Sequence, residues 1–132
     1  MADRILPIVA ILSIVSVEYE GWALLTFVTG REGLGAAQQR FFRAGHAHAG
    51  VLLVLTLVYL LYLPRAEWSS GGEWAAGVVL IVGVLAQSGG FFVHLAAGAP
   101  QTPSLGTKLT RFGALLIGGA LVALAIGLIS TA

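Results

Sequence analysis

The sequence predicts an all-α integral membrane protein, an antiparallel bundle of four transmembrane helices forming a single membrane domain over 1–132. Three observations predict it. Of 132 residues, 58% are hydrophobic and only 10% charged, where an ordinary soluble domain carries roughly a quarter charged residues; mean hydropathy is +0.93. The apolar residues gather in four segments, each close to or above the ~20 residues that carry a helix across a ~30 Å hydrocarbon core. Short connections separate them, which makes successive helices antiparallel neighbours. Spanning strands would be about half as long and would alternate in polarity.

The first segment, 5–28, ends at Thr29, Gly30, Arg31, Glu32 and Gly33 and contains Glu18 and Glu20. It is too long for a signal-peptide core and no small-residue cleavage site follows, so it is expected to remain as a helix. The second, 42–63, is preceded by an interfacial stretch from Gln38 to Arg43, enters the bilayer with His46 and His48, and stops at Pro64, which cannot continue a helix. The third, 74–97, follows the turn Ser69 to Gly72, carries Gln87 and His94, and ends before Gly98, Ala99 and Pro100. The fourth, 109–130, places Gly119, Ala123 and Gly127 at four-residue spacing, the small-residue pattern that lets helices approach closely. Tyr59, Tyr62, Trp68 and Trp74 fall near one boundary and read as an aromatic belt.

Charge gives an orientation and removes several functions. The first and third connections carry Arg31, Arg40, Arg43, Lys108 and Arg111, whereas the opposite side has Arg4 and Arg65 diluted by Asp3, Glu67 and Glu73. By the positive-inside rule the first and third connections are expected in the cytoplasm and both termini outside, as in a multi-pass protein of a bacterial inner membrane. A net charge of +1 gives no reason to invoke nucleic acid; the expected surroundings are the lipid bilayer and either further copies of the chain or a larger membrane complex. The absence of cysteine removes disulfides and thiolate chemistry. No nucleophile stands beside a base, which argues against an enzyme unless a bound metal supplies the chemistry.

Ionisable side chains inside a membrane are costly and mark functional sites. His46, His48, His94, Glu18 and Glu20 all fall in the cytoplasmic half, at depths of ~6–12 Å or slightly more for a rise of ~1.5 Å per residue. Residues two apart point nearly opposite ways, so one of each pair is expected to face inward. Glu20 shares a face with Ser13, Ser16 and Phe27, and His94 with Gly90, Gln87 and Gly83. His48 continues into Leu52, Leu55 and Tyr59, and His46 into Gly50, Leu53 and Leu57. The expected inward set is therefore Glu20, His48, Gln87 and His94, with His46 at the headgroup boundary and Glu18 turned to a neighbouring helix or protomer.

Three chemistries suit that set. Two imidazoles on facing helices can hold haem b axially, with Gly50, Gly83, Gly89 and Gly90 giving room. His48, His94 and Glu20 together suit a divalent transition metal. Alternatively Glu18, Glu20 and Gln87, with the histidines, can form a proton or cation path.

Phe41, Phe42, Arg43, Ala44, Gly45, His46, Ala47, His48, Ala49 and Gly50 together resemble a motif of small four-helix bacterial membrane proteins, as do the run Val17 to Trp22 and Gly89, Gly90, Phe91 and Phe92. That resemblance implies the four-helix architecture but brings no assigned activity. The His46-Ala47-His48 element is also locally similar to the haem-associated NnrS membrane proteins, and this similarity implies haem as a ligand.

Overall fold

The computed structural model describes residues 1–29, 35–97 and 102–132. The turn residues Gly30, Arg31, Glu32 and Gly33, the residues Gly98, Ala99 and Pro100, and the side chain of Phe27 lie outside the described residues. Four helices form: α1 (Ala2–Thr29), α2 (Ala36–Tyr62), α3 (Ser70–Ala97) and α4 (Leu105–Ser130), with a 3-10 turn at Leu63–Ala66. All four are long and apolar enough to cross a membrane, so the chain is a multi-pass membrane protein.

Each helix outruns its apolar core, because hydropathy marks the hydrocarbon slab while caps mark helix ends. The N-terminal turns of α2 run through Gln38, Arg40 and Arg43, and the Gln38 side chain accepts a hydrogen bond from the Gly35 N–H at 3.0 Å. For α4 the cap is Ser104. Its Oγ accepts from the Thr107 N–H, and the Ser104 N–H donates back to Thr107 Oγ1 at 3.2 Å, a reciprocal pair that satisfies donors with no partner inside the helix. At the other end of α2, Pro64 sits in the 3-10 turn, and Glu67 closes it with φ of 52° in the left-handed region. Thr131 Oγ1 donates to the Arg65 carbonyl at 3.0 Å, tying the end of α4 to this turn.

The closest packing is between α3 and α4. A row at seven-residue steps, Gly106, Gly113, Ala120 and Gly127, is buried along α4. It faces Gly83 and Gly90 of α3. A Cβ on Gly106 would strike the Gly90 carbonyl, one on Gly113 would strike the Gln87 backbone nitrogen, and one on Gly90 would strike Thr110. Backbone therefore meets backbone, as small residues permit in a membrane where no hydrophobic drive pulls helices together. Thr110 Oγ1 also donates to the Gln87 carbonyl at 3.2 Å.

The row expected from the sequence to pack helices, within the bundle or between copies of the chain, is a different one, and most of it takes no part in packing inside the bundle. Gly119 and Ala123 are exposed, and a Cβ on Gly119 would meet nothing within 4 Å. Only Gly127 of that trio is buried, against Ala66 and Trp68. A four-residue spacing drifts around the helix, whereas a seven-residue spacing stays on one seam. Tyr59 is a second correction: it is no belt residue but a core one, 1% exposed, with its hydroxyl donating to the Ala120 carbonyl at 3.3 Å. Tyr62 does stay at the surface, with the Arg65 guanidinium 4.9 Å from its ring centroid.

The core is completed by Leu53, Leu60, Leu80, Val84, Ile117 and Leu124. Helix α1 lies on the edge, packed on α2 and α3, with Leu6 seated against Gly77 and Val17 buried. Its outer side, including Ile8, Leu12, Val15 and Trp22, is exposed, the surface a lipid-facing helix presents.

Candidate intramembrane site

The interior stripe of α2 consists of Phe42, Gly45, Ala49, Leu53 and Thr56, at the three- and four-residue steps of one helix face. His46 stands on the edge of that stripe beside Gly45 and Ala49. Its ring lies against Gly21 of α1, where an added Cβ would come within 3.1 Å of His46 Cε1. The absence of a side chain at Gly21 thus gives the imidazole its place. One residue earlier on α1, Glu20 directs Oε2 towards His46 Nδ1 at 4.0 Å. Since α2 starts at Ala36, both residues lie ~14–15 Å along their helices from the α1–α2 connection.

At 4.0 Å the two atoms are in electrostatic contact but beyond hydrogen-bond range. Glu20 Oε2 and His46 Nδ1 are both shut off from solvent, and neither has a hydrogen-bond partner among the described residues. Yet 31% of each side chain remains exposed, so the pair is closed at its centre and open at its edge. Leaving buried polar groups unpaired costs free energy. The pair thus holds two of the buried side-chain polar atoms left unpaired among the described residues.

Glu20 also lines a cavity of about 140 Å³ between α1, α2 and α3, together with Ser13, Ser16, Ser88 and Phe92. Ser88 is 6% exposed, and its Oγ is a third buried atom without a partner among the described residues.

The other expected site residues are dispersed. His48 is exposed on the outer surface, where Nδ1 is 2.8 Å from the Ala44 carbonyl and the ring lies 5.0 Å from that of Phe91. His46, not His48, is therefore the inward member, because the Phe42–Gly45–Ala49 stripe sets the face of α2. His94 is buried at the end of α3, its Nδ1 2.6 Å from Ser104 Oγ and its ring 4.5 Å from that of Phe41. It braces the cap of α4. Gln87 sits on the α3–α4 seam, while its neighbour Ser88 faces the cavity. Glu18 is exposed on the outer side of α1.

Among the described residues no group of three or more His, Asp or Glu side chains is placed to hold a metal ion. His48 and His94 border separate cavities: His48 lines one with Ala47, Val51 and Leu52, whereas His94 lines two others, of about 190 and 320 Å³. The residues do not fit a haem held between those two imidazoles.

No family model, curated protein or solved structure matches the chain. Function rests on the site itself.

Proposed function

We propose that this protein transfers protons within the membrane through the Glu20–His46 pair, as part of a proton or cation transport path. One observation carries the reading: a carboxylate and an imidazole on different helices face each other at 4.0 Å with the facing atoms buried and unpaired. Both groups exchange protons, and a small approach of α1 to α2 would bring them into hydrogen-bond contact. The Arg and Lys residues of the first and third connections support, under the positive-inside rule, a position of the pair towards the cytoplasmic face of a bacterial inner membrane. Glu18, exposed among apolar residues of α1, supports contact with another copy or a larger complex through that helix, because a carboxyl facing lipid is costly.

The test is proton flux in liposomes loaded with a pH-sensitive dye. Wild-type protein is expected to dissipate an imposed pH gradient. Glu20→Gln and His46→Gln should each slow that flux by ~100-fold or more, the scale of losing one positioned proton-transfer group. His48→Gln should retain it. Equal flux from wild type and Glu20→Gln removes the proposal.

A further inference from the structure

The cavity beside Glu20 presents oxygen lone pairs. Ser13 donates its hydroxyl hydrogen to the Val9 carbonyl at 2.8 Å, and Ser16 donates to the Ser13 carbonyl at 2.6 Å. Each hydroxyl has one hydrogen, so with that hydrogen committed to its own helix it has only acceptor capacity left for the cavity. Ser88 Oγ comes from α3, from a residue more than nine-tenths buried, with no partner among the described residues. Glu20 adds a carboxylate. No N–H or guanidinium side chain is among the residues lining this cavity. Acceptors thus converge from two helices on one space, and the uncommitted side-chain donor in its lining is the single Ser88 hydroxyl hydrogen.

We infer that this cavity is a binding site for a small monovalent cation, of the sodium or ammonium class, held by Glu20, Ser13, Ser16 and Ser88. A single carboxylate with three neutral hydroxyls matches one positive charge. A calcium-like ion takes six to eight oxygen ligands, typically with several carboxylates, which this cavity lacks. The volume of about 140 Å³ is ample for a bare or singly hydrated ion. Burial of Ser88 in the absence of an occupant leaves its polar atom unsatisfied; an ion or an ion-bound water satisfies it.

The inference rests on the proposed role of Glu20, because a cation and a proton then compete for one carboxylate. The titratable group facing Glu20 from α2 is His46; α3 contributes Val84, Leu85, Ser88, Gly89 and Phe92 to the cavity, none of them titratable. The test is an equilibrium measurement that does not need transport. Thermal unfolding of the detergent-solubilised protein, followed by tryptophan fluorescence, is compared in sodium, ammonium, potassium and choline chlorides at equal ionic strength. A ligand bound only by the folded state raises the midpoint. At least one of the three small cations is expected to raise it above choline, and the arms identify which. The rise should vanish in Glu20→Gln, shrink in Ser88→Ala and persist in Glu18→Gln. Equal midpoints in all four salts overturn the inference, as does a rise that survives Glu20→Gln. If Glu20→Gln does not fold, Ser88→Val decides, because it fills the cavity: a salt effect that survives it is equally fatal. Flux without a salt effect removes the cation site and leaves the proton path standing; a salt effect without flux does the reverse.

Discussion

His46 and His48 leave α2 ~200° apart, and the bundle gives them opposite surroundings. His46 is held against Gly21 with Nδ1 turned to Glu20, whereas His48 lies outside on Phe91. Gly21→Leu is expected to push the imidazole away from α1 and to lower proton flux as far as His46→Gln does, with Glu20 unchanged. Retained flux in Gly21→Leu would show that the ring position does not matter. Alternation alone told from the sequence that one histidine must face inward. Selecting the right one required the small residues Gly45 and Ala49, which mark the close side of α2 more reliably than the leucines that both faces carry. Glu67 is a separate residue-scale case. It holds φ of 52°, which costs a side-chain-bearing residue ~1–2 kcal/mol and glycine nearly nothing. Glu67→Gly is therefore expected to raise the unfolding midpoint despite the extra backbone entropy of glycine, and a lowered midpoint would contradict the strain.

At the scale of elements, the α3–α4 seam is the least tolerant part of the bundle. Gly106→Ala and Gly113→Ala force a methyl into the Gly90 carbonyl and the Gln87 nitrogen, and each is expected to cost about 1–3 kcal/mol, the range for overpacking. Gly119→Ala adds a methyl to open space and should stabilise by up to ~1 kcal/mol through helix propensity. Thermal or denaturant unfolding of the three variants measures the contrast; equal losses at Gly113 and Gly119 would mean that the seam is drawn on the wrong face. Ser104→Ala removes both the cap of α4 and the partner of His94 and should cost ~1 kcal/mol or more. The sequence displayed all the glycines but not their seam, because four-residue and seven-residue rows both include Gly127, and only contact with α3 tells them apart.

For the whole molecule, four spans and their antiparallel order were legible because hydropathy is summed over some twenty residues, and a membrane leaves few alternatives to a helix. The site was less legible. Its members were all visible as ionisable residues among apolar ones, but their meeting depends on helix rotation and on where α2 starts, at Ala36 and not six residues later. Ser88, beside Gln87, reads in the sequence as an interhelical hydrogen-bonder, yet in the bundle its Oγ is buried without a partner among the described residues, an outcome that depends on helix rotation. Proton transfer as proposed requires Glu20 and His46 to act as one proton-exchanging unit inside this bundle. Infrared difference spectroscopy across a pH titration, with the Glu20 carboxyl band identified by its loss in Glu20→Gln, measures that coupling. If the two groups are coupled, the Glu20 band titrates at a different pH in His46→Gln than in the wild type and is unmoved in His48→Gln. An identical Glu20 titration with and without the His46 imidazole would contradict it.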